Sequence, residues 1–489
     1  MSVFSRSINQ WCYGKDCSAK LPNAISIAGR KLYYSNNTQV REFKGTSTHV
    51  VILGTYVDLL EHREDICDLS FDDFLNAIDG FCGVYVIFLS DCSGVKIFGD
   101  ASHLLSIYYG VSGKSRAVAA SCEALIVDDV TDYSNSSLDV VKGAYSSGLY
   151  LADDMTMYDS VKCLLPNYYL DLLQCSPVRC FPRKKLVAAK GDEVSHILET
   201  TFNLTIRGIR LLAEKMSFAA PLTPGGDSRV NCVLLKHAVS DKDVQFYVIS
   251  NVELRREPDN LQFIGDIAKK IGIKDFRVLP EVEVLTDEQL TEMKAECGEI
   301  RNWGKTLWCY HPELHGKAIV KGELIDQIGK SPYGRGMPEW MASKFFLKTI
   351  LSNTSKTADE EFSNWYEKTK TACMGYSMFD LYSWEVRCGR WNPNTQSIQN
   401  INGVENINFF NCTYILSEWC RIPRKLRVKK CIHNYFIGKL MPDLLSIPVN
   451  PYAFRHSKHL SPMFSKFVPY WCRWIAQYAI QKVKASRNA

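Results

Sequence analysis

The stretch "PLTPGGDSRV" (221–230) follows the apolar run "MSFAA" and leads into "RVNCVLLKHAV", whose spacing predicts a helix. A strand, a glycine-bearing turn and a helix with an acidic first turn form a recurrent cradle for phosphate. The unpaired N–H groups of the first turn and the helix dipole both favour an anion there. No lysine follows the glycines, so the G-x-x-x-x-G-K-[ST] pattern of a Walker A loop is excluded. The loop offers Asp227 and Ser228 instead. A carboxylate beside a phosphate nest makes sense with a cation between them, which points to Mg²⁺–ATP. Taken alone, a Gly-Gly-Asp-Ser turn capping a helix is also a common structural device.

Outward from this loop the pattern repeats. "DEVSHILETTFNLTIRGIRLLAEK" reads as a long amphipathic helix before the strand. "VQFYVIS" and "DNLQFIGDIAKKIGI" then give a second buried strand and a second helix. Alternating strands and helices imply a parallel sheet with crossover helices, and the turn after a strand opens onto the ligand crevice of such a sheet. Beyond 340 the chain is mostly helical and aromatic. The first third differs. "THVVILGTYV", "GFCGVYVIFLS", "GVKIFGD", "LLSIYYG" and "AVAASCEALI" are short β-branched and aromatic runs broken by Gly, Ser and Asp. Among them only "SFDDFLNAI" (70–78) has helical spacing, with Ser70 as its cap. The polar stretch "FPRKKLVAAKGDE" reads as a linker, so the expected domains are 1–185 and 192–489.

The 489 residues suffice for two or three cored domains, and 46% hydrophobic with 23% charged residues is a globular composition. A net charge of +5 permits an anionic substrate and gives no reason to expect nucleic acid. The 18 cysteines are scattered without a C-x-x-C pair, which favours reduced thiols in a cytoplasmic protein. No signal peptide is expected at "MSVFSRSINQW". "FCGVYVIFLS", the longest apolar stretch, is about half of what a bilayer needs, so no membrane span is expected.

Several motifs in order give a resemblance. "LTPGGDSR" resembles the S-G-G-x-D-S pyrophosphate loop of the asparagine synthetase family, whose ATP-pyrophosphatase (adenine nucleotide alpha hydrolase-like) fold also serves β-lactam synthetases and lasso-peptide cyclases. Thr223 takes the serine place, Pro224 the first glycine, Gly225 the second, and Asp227-Ser228 the final pair. "VKGELIDQIGKSPYG" (320–334) is similar to the family's G-E-G-S-D-E-type segment, with Gly322, Glu323 and Asp326 in register. "FDLYSWEVRCGRW" (379–391) resembles a helix ending E-x-R, with Glu385 and Arg387, and "KLMPDLLSIPVNP" (439–451) a late L-P-x-x-[IL] segment. "IDGFCGVYVIFLSD", "GDASHLLSIYY" and "AASCEALI" are similar to stretches of that family's glutaminase domain.

The resemblance implies an α/β multidomain chain: an N-terminal αββα glutaminase-like sandwich, then a parallel-sheet ATP-pyrophosphatase domain. It implies ATP and Mg²⁺ as cofactors. Thr223, Gly225, Gly226, Asp227 and Ser228 would form the nucleotide loop, Asp227 and Asp326 would hold the metal, and Glu323 or Glu385 would act as base. A phosphate-neutralising cation is expected after the late segment, at Lys458 with Arg455 in reserve. The implied reaction adenylates a carboxylate, releases pyrophosphate and transfers the acyl group to an amine borne by a small molecule or a peptide. The family's glutaminase nucleophile is a cysteine exposed by removal of the initiator Met; here residue 2 is Ser2 and the nearest cysteine is Cys12, so no glutaminase activity is expected.

A β-lactam synthetase would carry tyrosine where Glu323 stands. Tyr382, near Glu385 on the same predicted helix, is more often a packing residue in such a Tyr-Trp-Glu stretch. Pro224 removes one N–H donor from the loop. The alternative is therefore a catalytically degenerate scaffold partnering a biosynthetic enzyme. The run "RIPRKLRVKK" (421–430) reads as a solvated helix face, and His237, His311, His315 and His433 as structural or surface histidines.

Overall fold

A computed structural model describes residues 7–61, 65–112, 116–128, 153–156, 158–250, 258–280, 286–297, 311–331, 337–344, 347 and 356–451. The N-terminal part is built from two antiparallel six-stranded sheets. The chain supplies β1 (Trp11–Tyr13), β2 (Asn23–Ile27), β3 (Arg30–Tyr34), β4 (Val40–Lys44), β5 (His49–Asp58), β6 (Phe81–Asp91), β7 (Gly94–Gly99), β8 (Tyr108–Ser112), β9 (Arg116–Ala120), β10 (Val161–Cys163), β11 (Tyr168–Asp171) and β12 (Ser176–Arg179). The first sheet runs β10-β8-β9-β1-β3-β2 and the second β12-β11-β7-β6-β5-β4.

Side-chain alternation explains how the sheets stack. Trp11, Tyr13, Tyr109 and Ala119 of the first sheet join Val51, Leu53, Val86 and Phe88 of the second in one shared core. The opposite face of the second sheet is covered by α1 (Phe71–Ile78), whose Phe74 and Leu75 pack on Val50, Ile52, Tyr85 and Phe98. Ser70 caps that helix by accepting from the Asp73 N–H. Strand β6 is therefore buried on both faces, which is why its sequence is an unbroken apolar run rather than an alternating one.

The other face of the first sheet is covered from the far end of the chain. Cys12, Val118, Ala120 and Val161 pack against Phe362, Trp365, Phe379 and Tyr382. Two of these lie on α5 (Lys356–Ala372), in chain order after α2 (Asp192–Ala213), α3 (Gly226–Ala238) and α4 (Asn260–Ile271). The expected linker is pinned along the same side, where the Leu186 and Ala189 N–H groups donate to the carbonyls of Met374 and Arg421.

The second half centres on a parallel sheet of β13 (Ser217–Pro221), β14 (Val244–Ile249), β15 (Phe276–Leu279), β16 (Lys317–Val320) and β17 (Asn406–Ile407). Its order is β15-β14-β13-β16-β17, with every neighbouring pair parallel. The first three strands march outward and the fourth returns to the far side of β13. A topological switch point therefore lies between β13 and β16, and the loops at their carboxyl ends open there. Helix α6 (Gly389–Ile401) sends Ile398 and Ile401 into the core outside the first sheet, while α7 (Thr413–Arg421) and α8 (Cys431–Leu440) join the core of the parallel sheet. No helix among the described residues is long and apolar enough to cross a membrane.

Candidate active site at the switch point

The loop 222–225 leaves β13 and α3 begins at Gly226, with Gly225 as N-cap and no side chain capping the helix. Its first-turn amides are thus left for solvent or a ligand. The loop is closed on itself by hydroxyls. The Thr223 N–H donates to Ser228 Oγ at 3.1 Å, the two hydroxyls lie 2.9 Å apart, and the Gly225 N–H donates to Thr223 Oγ1 at 3.2 Å. Thr223 and Ser228 therefore shape the loop.

Behind the loop sits a buried charge. Arg229 is 1% exposed and donates to the carbonyls of Pro224 (3.0 Å), Ile447 (3.0 Å) and Pro448 (2.6 Å). No carboxylate pairs with it among the described residues. Burial lowers its pKa to about 10, so it stays cationic at neutral pH. Uncompensated positive charge and the dipole of α3 thus act at one end of the same helix. The bonds of Arg229 also seat the segment 447–450 over the loop, where the Asn450 N–H donates to the Pro224 carbonyl at 3.0 Å.

The segment after β16 meets this helix. Asn231 Nδ2 donates to the Lys321 carbonyl at 3.1 Å. A Cβ on Gly322 would lie 3.1 Å from Asp227 Cβ and 3.3 Å from Asn231 Nδ2. Glycine at 322 is what allows the two motifs to approach. Leu324, Ile325 and Ile328 anchor the π-helical turn Ile325–Gly329 in the core, while Glu323 and Asp326 stay partly exposed. Asp326 pairs with Lys330 Nζ at 2.6 Å and accepts from Gln327 Nε2 at 2.8 Å. Glu323 has no hydrogen bond or ion pair among the described residues. The Cys388 thiol is pushed up by burial and further by Glu323 and Asp326, so the π-helical stretch Tyr382–Cys388 flanks the same crevice.

Asp227 is held by a residue expected to be structural or on the surface. His433, on α8 and 3% exposed, places Nε2 2.6 Å from Asp227 Oδ1. Among the described residues its Nδ1 has no partner, and neither do the buried Arg229 Nε and Asn231 Oδ1. Buried polar atoms without partners cost roughly 1–3 kcal/mol each, and these three lie on or against α3. The only sequence signal for His433 is its place on the buried stripe of Ile432, Phe436 and Ile437.

Asp227 is 36% exposed at the start of α3 and Asp326 is half-buried on the turn after β16; hard carboxylates of this kind suit Mg²⁺, which is usually held by one or two of them plus substrate phosphates. Among the described residues, a group of three acids whose oxygens lie within 4.8 Å of one another is elsewhere, at Asp153, Asp154 and Glu361. A cavity of about 40 Å³ also lies elsewhere, beneath α1, lined in part by Asp79, Tyr85, Asp100, His103 and Arg183.

Glu385 is not at the crevice mouth in an available form. It is wholly buried and its oxygens accept from Arg179 Nη1 (2.7 Å) and Nη2 (3.0 Å), Asn167 Nδ2 (3.0 Å) and Trp365 Nε1 (2.9 Å). We assign it to the junction between the two halves and not to proton transfer. Tyr382 is fully buried against Phe362 and Trp365, a packing residue. The run 421–430 departs from a solvated face at Arg427, which is buried, paired with Asp380 and bonded to the carbonyls of Ile328 and Ile422. Cys12 is buried in β1, its thiol held up by a hydrogen bond with Cys17 and by burial. Ser2, Arg455 and Lys458 lie outside the described residues. No protein-family model matches the chain, and no curated protein matches it.

Proposed function

We propose that the crevice between β13 and β16 binds ATP with Mg²⁺ and activates a carboxylate by adenylation for transfer to an amine. The observation that carries this reading is the meeting of two loops at the switch point: the uncapped start of α3 with Asp227, and Gly322-Glu323-Asp326 after β16. It agrees with the resemblance to asparagine synthetases, including the order of the motifs.

In this reading the first-turn amides of α3, with Arg229 behind them, stabilise the charge that develops on departing pyrophosphate as the substrate carboxylate attacks the α-phosphorus. Asp227 and Asp326 hold the cation, whose chemistry is neutralisation of the phosphate oxygens. Asp326, paired with Lys330 here, would be its second ligand. Glu323, without a partner among the described residues, takes the proton from the amine as it attacks the acyl-adenylate and AMP leaves. The stacked N-terminal sheets, in this reading, are a glutaminase-like sandwich whose amine-supplying role passes to the substrate.

A second reading, a non-catalytic scaffold, is favoured by the pairing of Asp227 with His433 and Asp326 with Lys330. ATP–pyrophosphate exchange with Mg²⁺ across a panel of carboxylates and peptides separates the two, with Asp227→Ala as control. Exchange with one substrate class that disappears in the variant supports adenylation and names the acid. No exchange, together with no ATP binding that depends on Asp227, makes the scaffold the reading to keep.

A further inference from the structure

His433 is absent from every motif that points to the crevice, yet it makes the only side-chain bond to Asp227 among the described residues. The pair is asymmetric. The imidazole is 3% exposed and fixed in α8, whereas the carboxylate is 36% exposed at the crevice mouth. The histidine therefore orients the aspartate. Their 2.6 Å separation is at the short end for a charge-assisted hydrogen bond. Only one carboxylate oxygen is used, since Oδ2 has no partner among the described residues.

Resting on the reading of the crevice as a metal–nucleotide site, we propose that His433 is a positioning residue: its Nε2–H donates to Asp227 Oδ1 and holds Oδ2 toward a divalent cation. Donors to ligating carboxylates fix their orientation and remove the ordering cost from metal binding. A histidine that merely joined α8 to α3 would be expected to satisfy both ring nitrogens in a buried setting. Among the described residues Nδ1 has no partner, so Nε2 carries the ring's hydrogen bond there. The neighbouring contacts agree. The Cδ2 edge of His433 lies 3.7 Å from where a Cβ on Gly226 would stand, so the ring lies against the first helical residue of the nucleotide loop.

The test uses the full chain with Mn²⁺ as probe. Mn²⁺ affinity in the presence of ATP is read by electron paramagnetic resonance and calorimetry, and ATP affinity is read separately in EDTA. Wild type is compared with His433→Ala and with His433→Gln, whose amide supplies an N–H at a similar reach. Melting temperatures are recorded for all three. The expected result is an about 10–100-fold loss of Mn²⁺ affinity in His433→Ala, with ATP affinity in EDTA unchanged and Mn²⁺ affinity largely restored in His433→Gln. Equal Mn²⁺ affinity in His433→Ala and wild type overturns the proposal while leaving the site intact. Parallel loss of metal-free ATP affinity and melting temperature, unrescued by Gln, also overturns it, since that is what a packing role gives. A wild-type protein that binds no nucleotide with or without Mn²⁺ sinks the underlying reading, and this inference with it.

Discussion

Removing the Glu385 carboxylate distinguishes a structural junction from a catalytic base. In Glu385→Ala the Arg179 guanidinium loses both of its bonds to the carboxylate and keeps the Phe181 carbonyl, Tyr168 hydroxyl and Thr369 hydroxyl as partners. No charge then balances it in a largely buried setting. Breaking one side of a buried ion pair costs about 3–5 kcal/mol. The stranded Trp365 indole N–H and Asn167 amide push the value toward the upper end. Against a total stability of about 5–15 kcal/mol, such a loss is plain in urea unfolding followed by tryptophan fluorescence, with Trp365 itself in the network. The companion variant Arg179→Met measures the coupling: the double variant is expected to be less destabilised than the sum of the two singles, because it leaves no orphan charge. A base for amine deprotonation gives the opposite signature. Glu385→Ala within about 1 kcal/mol of wild type, with pyrophosphate exchange retained and amide formation lost, would refute the structural assignment.

Gly322→Ala places a methyl group 3.1 Å from Asp227 Cβ, forcing the two loops apart by a few tenths of an ångström. An about tenfold loss of Mg²⁺–ATP affinity, about 1.4 kcal/mol, is expected by calorimetry, and unchanged affinity would remove the close approach from the argument. At Asp153, burial and the adjacent Asp154 raise the carboxyl to about 7, above its unfolded value. The folded state therefore holds a proton that the unfolded state has lost, and the stability this contributes, complete below about pH 4, is lost as pH rises through about 7. Asp153→Asn cannot lose that proton, so its melting temperature is expected to gain on wild type between pH 4 and pH 8; a gap that does not vary with pH contradicts the assignment.

Where local pattern carries the information, the sequence was readable. The apolar runs of β5, β6 and β7, the capped stripe of α1, and the strand–loop–helix of β13 and α3 all lie where their periodicity places them. The strands that escaped have five residues or fewer: β2, β3 and β4 have five each, β11, β12, β15 and β16 four, β1 and β10 three and β17 two, so little of a period can register. The π-helical turns at 325–329 and 382–388 also carry no local signature, yet they bring Asp326 to the crevice and turn Glu385 into the core. Long-range pairing hid the rest. Glu385 meets Asn167 from 218 residues away and His433 meets Asp227 from 206. Arg427 looked solvated because its basic neighbours dominate the composition, while its partner Asp380 lies 47 residues upstream.

Proline at 224 looks like a loss when the loop is read as a row of N–H donors, since it removes one of them. Its carbonyl tells otherwise. That oxygen accepts from both Arg229 Nη2 and the Asn450 N–H, each at 3.0 Å, and so joins the buried guanidinium to the segment that seats over the loop. A fixed φ at 224 narrows the backbone freedom beside this acceptor and so lowers the entropic cost of ordering the loop. The amides of Gly225 and beyond are untouched, and α3 still begins without a side-chain cap. Proline at 224 gives up one donor at the front of the loop and supports a clamp at its back. The clamp ties the buried guanidinium of Arg229 to the loop in front of it. A site kept only as scaffold would not require that guanidinium to be buried without a carboxylate, because neutral packing there would be less costly.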